Sequence, residues 1–229
     1  MKVEAIIFDW DGTIVDIDDR ELLSVNEALT SIGLKALSRQ EFITGYYSTP
    51  YTNAGSRMLL RKVLVEEELA EKAAEIHAKE FSRSFELTRL QEAAFNTLKA
   101  LKQKRILLAV ATVRRHKNVV EQEMEYLKVD RFFDVLVTLE DLSIHTQRKQ
   151  IFSIIADVRA EQFRKALASL GRDRSKAIVV GDGWWDIRGA RQAEITSVWV
   201  KTGFGLHNDF SKEQPDTTIS NLGELLRFV

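Results

Sequence analysis

Two textures of apolar and polar positions divide the chain. Val3 to Phe8 is a short β-branched and apolar run that stops at Asp9-Trp10-Asp11-Gly12-Thr13, which predicts a buried strand closed by a turn. From Arg20 to about Leu87 the pattern is helical instead. Leu22, Leu23, Val25, Ala28, Leu29 and Ile32 recur at steps of three and four, and Gly33 supplies a stop. Ser38 with Glu41 three residues on is a capping-box pattern, Thr49-Pro50 breaks the chain, and helices are expected again over Arg57 to Leu64 and Glu67 to Phe85. No strand is expected in this stretch, which reads as a separate helical module.

Beyond Leu90 helices and strands alternate. Helices are predicted up to Gln103, over Lys117 to Leu127, Glu161 to Leu170 and Ile187 to Ala193. Strands are predicted over Ile106 to Ala111, Val135 to Thr138, Ala177 to Val180 and Ser197 to Val200. Such alternation means βαβ units and a parallel sheet, with ligands beyond the carboxyl ends of the strands. No internal repeat or low-complexity segment competes with that reading.

Composition narrows the chemistry. A chain of 229 residues, 45% apolar and 29% charged, has the balance of a soluble globular protein of one domain or two closely joined ones. It has no cysteine, which excludes thiolate zinc sites, catalytic thiols and disulfides, and makes a cytoplasmic location the default expectation. Thirty-three basic and thirty-four acidic side chains leave a net charge of -1, so no global field draws nucleic acid or anionic lipid. The longest strongly apolar stretch, Ile106 to Ala111, falls far short of a membrane span, and the N-terminal run broken by two aspartates reads as neither signal nor anchor. The expected partner is a small molecule, with no nucleic acid and no membrane, and the oligomeric state is left open.

Acids and hydroxyls stand at several predicted strand ends. Asp9 and Asp11 are two apart, so both carboxylates can face one site, where their repulsion calls for a shared cation or a proton. A backbone-bonding Asx turn would also explain them. In Gly181-Asp182-Gly183-Trp184-Trp185-Asp186 the four-residue step lets Asp182 and Asp186 face back across a helix start, where either could simply be a cap. Thr112 ends a third strand. Trp10 should point into the core. Arg114-Arg115-His116-Lys117 at a helix start could meet an anion, but a solvated, charged helix start is the expectation. The four histidines are scattered without ligand spacing.

Together, Asp9-Trp10-Asp11-Gly12-Thr13, Thr112 after an apolar strand, and Gly181-Asp182 with Asp186 resemble the haloacid dehalogenase-like hydrolase superfamily over nearly the whole chain. The resemblance implies a doubly wound, parallel-sheet, Rossmann-like α/β core over 1–16 and 88–229, with a helical cap inserted over 17–87. The second aspartate is typical of that family's phosphatases. By resemblance Asp9 is the nucleophile that forms an aspartyl phosphate, Asp11 the general acid and base, and Thr112 a holder of a phosphoryl oxygen. Mg²⁺ would be held by Asp9, the main-chain carbonyl of Asp11 and Asp182, with Asp186 completing the shell. The family's third motif normally supplies a lysine, and none stands in Asp157-Val158-Arg159-Ala160. Lys149 is the expected replacement, with Arg148, Arg159 and Lys165 as rivals. Tyr46 to Tyr51 and Asn53 to Arg57 are expected as turns of the cap, with Arg57 a substrate contact. The implied activity is Mg²⁺-dependent hydrolysis of a small phosphorylated metabolite. The alternatives are a phosphomutase or phosphotransferase of the same fold, and a binding or regulatory module that has lost turnover.

Overall fold

The computed structural model describes residues 2–48, 56–64, 66–142 and 154–229, apart from the side chains of 57 and 58. Its main sheet has six strands: β1 (Ala5–Phe8), β2 (Leu107–Ala111), β3 (Val135–Val137), β4 (Ala177–Gly181), β5 (Thr196–Val200) and β6 (Thr217–Ile219). All pair in parallel, in the order β3-β2-β1-β4-β5-β6, the doubly wound arrangement. β1 is central. Phe8 lies opposite Val110 on one side and Val180 on the other, so the chain leaves β1, β2 and β4 at one edge of the sheet.

Two compact units make up the chain, one of Met1–Asp16 with Leu90–Val229 and one of Ile17–Arg89. Among its described residues the second has the helices α1 (Asp18–Ser31), α2 (Arg39–Tyr47), α3 (Ser56–Val63) and α4 (Glu67–Arg83), followed by a single 3-10 turn, Phe85–Leu87. Its α2 begins at the expected capping box, where Ser38 Oγ accepts from Glu41 N–H and Glu41 Oε2 accepts at 2.7 Å from Ser38 N–H. α1 packs on α4, burying Val25, Ala28 and Leu29 of the one and Ala70 and Ala73 of the other. The buried Arg20 lies with its guanidinium 3.8 Å over the Phe81 ring and donates at 3.1 Å to Thr88 Oγ1.

In the sheet unit the helices are α5 (Ala94–Gln103), α6 (Lys117–Tyr126), α7 (Ile155–Leu170), α8 (Trp184–Gln192) and the short α9 (Gly203–His207). One face of the sheet buries Ile7, Ala109 and Val179 with Val158, Phe163 and Ala166 of α7 and Ala190 of α8. The central strands β1, β2 and β4 are apolar throughout because both of their faces are covered. α7 starts six residues before the predicted Glu161. Ile155 and Val158 continue the apolar stripe of Phe163, Ala166 and Leu170, and a charged residue, Arg159, lies on the buried side and interrupts the pattern. β6 and α9 were not expected: three residues of Thr-Thr-Ile and a glycine-flanked turn carry little periodicity. No helix among the described residues is long and apolar enough to cross a membrane.

Candidate active site

Three buried acids meet where the sheet unit's strands end. Asp9 follows β1 and its N–H donates to the carbonyl of Val180 at 2.9 Å. Asp182 follows β4, and Asp186 lies in the first turn of α8. Each offers a carboxylate oxygen, and these lie within 4.8 Å of one another. Burial pushes Asp9 well above the usual carboxylate range; the Arg159 guanidinium opposes this, while Asp186, Asp182 and Asp11 add to it. Asp182 is likewise raised well above its usual range, by burial and then by the charge of Asp186. Asp186 is raised by burial, against the pull of Arg159.

The cation among them is Arg159, which is fully buried. Its Nη2 donates to Asp9 Oδ1 at 2.8 Å, its Nε to Asp186 Oδ1 at 2.8 Å, and its Nη1 to the Ala111 carbonyl at 2.7 Å and to Gln162 Oε1 at 2.9 Å. Gln162 in turn donates to the Thr112 carbonyl, and the Phe163 ring lies 4.7 Å from the guanidinium carbon. One side chain of α7 thus ties the ends of β1 and β2 to the first turn of α8. Burial alone would lower the proton affinity of the guanidinium, but Asp186 and Asp9 hold it above its ordinary value.

Asp182 is fixed from two loops. Thr13 Oγ1 donates to its Oδ1 at 3.2 Å and Phe204 N–H to its Oδ2 at 2.7 Å. Both loops approach so closely that only glycine fits. A Cβ on Gly12, whose φ is +80°, would stand 2.3 Å from Asp182 Oδ2, and one on Gly203, at φ +46°, would stand 2.2 Å from it. The Gly203-Phe204-Gly205 segment, which reads as a plain loop, is therefore part of the site.

Asp11 turns its carboxylate to a different partner. Arg114 Nε donates to Asp11 Oδ2 at 2.8 Å and Nη2 donates to Oδ1, while Nη1 donates to Glu123. Glu123 Oε2 also accepts from Trp10 Nε1 at 3.1 Å. Thr112 Oγ1 accepts from Arg114 N–H at 3.2 Å. Burial works against the charge of Arg114, yet Asp11 and Glu123 hold its proton affinity above the ordinary value.

Residues 6–200 match the sequence profile of the family described as haloacid dehalogenase-like hydrolase. The chain belongs to that family. Among relatives, "Putative pyrophosphatase PpaX" of Caldanaerobacter subterraneus is 29% identical over 230 residues, covering 100% of this chain and 96% of that protein. "Pyrophosphatase PpaX" of Bacillus velezensis is 26% identical, covering 98% of this chain and 95% of that protein. Among solved structures, a haloacid dehalogenase-like family protein of Streptococcus pneumoniae superposes with a TM-score of 0.78 at 20% identity, over 99% of this chain and 98% of the other. A "predicted phosphoglycolate phosphatase" of Haemophilus somnus gives 0.78 at 20%, over 100% and 98%. These likenesses show the fold, and family membership makes the chain a hydrolase of the haloacid dehalogenase-like group.

For such a hydrolase, the structure brings Asp9, Asp11, Thr112, Asp182 and Asp186 to one end of the sheet. Lys149 and Arg148 lie outside the described residues. Lys165 is exposed and donates to the Asp141 carbonyl, away from the acids, whereas Arg159 stands among them. Arg57 belongs to α3, but its side chain is outside the described part. Tyr46 and Tyr47 are not in a turn. They are buried in α2, where Tyr47 Oη donates to Asp18 at 2.6 Å, while residues 49–55 are outside the description. The solvated helix start expected at Arg114 is also corrected: Arg115 and His116 are exposed, but the Arg114 side chain is only 12% exposed and carries two carboxylates. Thr13 closes the first motif without a sequence-assigned role of its own, and Gln162 carries no spacing signal.

Proposed function

We propose that the chain is a Mg²⁺-dependent phosphatase that hydrolyses a small phosphate monoester through an aspartyl phosphate on Asp9. The observation that supports this best is the setting of Asp9: a buried carboxylate held by Arg159 through Oδ1, with Asp182 and Asp186 beside it and Asp11 two residues on. Among the described residues, three carboxylates with one guanidinium leave negative charge that a divalent cation would balance, and a set of hard oxygen donors suits Mg²⁺. Asp9, Asp182 and Asp186 would hold the ion, with the main-chain carbonyl of Asp11. When bound, it would polarise the phosphoryl group and reduce its repulsion from the nucleophile.

Asp9 attacks phosphorus through the oxygen not held by Arg159. A P–O bond forms as the bond to the leaving oxygen breaks, and Asp11 gives that oxygen its proton. Asp11 then takes a proton from water, the water oxygen bonds to phosphorus, and inorganic phosphate leaves with Asp9 restored. Arg159 takes the place of the family's third-motif lysine, holding positive charge against the nucleophile as charge develops. Thr112 Oγ1 already accepts a hydrogen bond, so its own proton can be donated to a phosphoryl oxygen. The names of the relatives, a pyrophosphatase and a phosphoglycolate phosphatase, place a phosphoric anhydride and a small acidic monoester among the substrates to be tried.

The test is hydrolysis of a generic aryl phosphate, pyrophosphate and phosphoglycolate by wild type and Asp9→Asn, with Mg²⁺ and with a chelator. Turnover that needs the metal and disappears in the variant is expected. Equal activity in the variant, or none in wild type with any of these substrates, overturns the proposal and favours a binding module.

A further inference from the structure

The notable polar cluster that this mechanism leaves unused runs outward from Asp11. Arg114 presents its fork to both oxygens of Asp11 and its remaining nitrogen to Glu123, whose side chain is wholly buried. Glu123 is fixed in turn by Trp10 Nε1 at 3.1 Å, and Trp10 is fully buried, with its ring edge-on to Phe133 at 6.2 Å. Trp10 stands between Asp9 and Asp11 in sequence, so the brace begins and ends on the same turn. The indole is buried against Phe133 while the carboxylates of its neighbours meet Arg159 and Arg114. The result is a closed loop of contacts, Asp11 to Arg114 to Glu123 to Trp10 and back through the backbone, that leaves the carboxylate of Asp11 one orientation. Its side chain is still 25% exposed, so one edge remains open.

We propose that Arg114, braced by Glu123 and Trp10, is a positioning residue for the proton-transfer step of Asp11. The proposal rests on the phosphatase reading above, since it assigns Arg114 no contact with substrate. A planar fork suits this task. It fixes two carboxylate oxygens in one plane, which a lysine ammonium, a point charge on a flexible stem, does not. Each oxygen keeps a second lone pair for the travelling proton. A carboxylate free to rotate would meet the leaving oxygen and the water less often in the reactive orientation, and small misplacements are costly in proton transfer.

Leaving-group dependence separates this role from a structural one. An aryl phosphate with a very acidic phenol expels its leaving group with little need of a proton, whereas an alkyl phosphate needs one. Loss of Arg114 alone takes the guanidinium away from the buried Glu123 carboxylate, so the variant to use is the pair Arg114→Met with Glu123→Gln, in which the carboxamide oxygen can still accept from Trp10. A second variant, Arg114→Lys, keeps the charge and gives up the fork. In both, kcat/KM for an alkyl phosphate is expected to fall by about 10²-fold, and that for the aryl phosphate much less. The aryl phosphate should also show a burst of phenol release as the aspartyl phosphate waits for its water. Adding Asp11→Asn to the paired variant should cause little further loss. Equal losses on both esters, a change confined to KM, or losses that multiply with Asp11→Asn overturn the proposal. A wild type that hydrolyses neither ester overturns the phosphatase reading itself, and the positioning role with it.

Discussion

Arg159 Nη2 lies 2.8 Å from Asp9 Oδ1, and neither side chain has appreciable contact with solvent. The pair is held at both ends: Arg159 also grips Asp186 and the Ala111 carbonyl, and the Asp9 backbone is bonded to Val180. A buried cation with this many partners is part of the site's frame as well as of its charge.

Arg159→Met should therefore damage fold and activity together. Removing one member of a buried ion pair leaves uncompensated charge and typically costs about 3–5 kcal/mol. Arg159→Lys keeps the charge without the fork and should fold, with kcat reduced by about 10²-fold. Urea melts and initial rates on the same preparations would check both outcomes. A fully active, fully stable methionine variant would show that the cation is dispensable.

The raised acids set a pH dependence. Asp9 and Asp182 bind protons more tightly folded than unfolded, so the metal-free protein should lose stability as pH rises from the ordinary carboxylate value of about 3.9 toward their raised values. Mg²⁺ competes with those protons, so its stabilisation should grow over the same range, reaching about 2.7 kcal/mol at a hundredfold excess over Kd. Thermal melts with a chelator and with Mg²⁺ across that range would show the two curves diverging with pH. Asp9→Asn should raise the melting temperature of the metal-free protein and shrink the divergence.

Two glycines with similar backbone angles should respond differently to alanine. Gly171, at φ +61°, has nothing within 4 Å of a built Cβ, so Gly171→Ala should lose only the left-handed preference, about 1–2 kcal/mol. At Gly12 the added methyl meets Asp182, so Gly12→Ala should lose more stability and most of the Mg²⁺-dependent activity. Denaturation midpoints and rates of the two variants side by side would show it.

In the helical unit, Ser38→Ala removes the hydroxyl that accepts from Glu41 N–H. The cap is exposed and local, so a loss of about 1 kcal/mol is expected with no change in the hydrolytic rate. Chemical denaturation would measure it.

Much of this arrangement could be read from the chain before any coordinates. Asp9, Asp182 and Thr112 stand out because short apolar runs end on them, and runs buried on both faces are the least ambiguous strands. The setting of two arginines was harder to read. Arg159 and Arg114 are cations facing inward, and sequence pattern treats charge as a mark of solvent. Nothing local distinguishes an arginine whose carboxylates arrive from other strands. Arg159, one of the rivals for the missing lysine, stands among the acids on a helix whose apolar stripe it breaks, while Lys149 lies outside the described residues. Thr217–Ile219 was missed because an edge strand of three residues, two of them polar, has no pattern to show.

The central position of β1 has a temporal consequence. β1 has no neighbour in the sheet until β2 and then β4 have been made, and Asp9 precedes Arg159 by 150 residues. At synthesis rates of about 5–20 residues per second, that separation corresponds to roughly eight to thirty seconds. For the first two thirds of that interval, until β2 and Arg114 have been made, an apolar hexamer and two acids wait without their partners, so the nascent chain is exposed before the end of the sheet that gathers the acids exists.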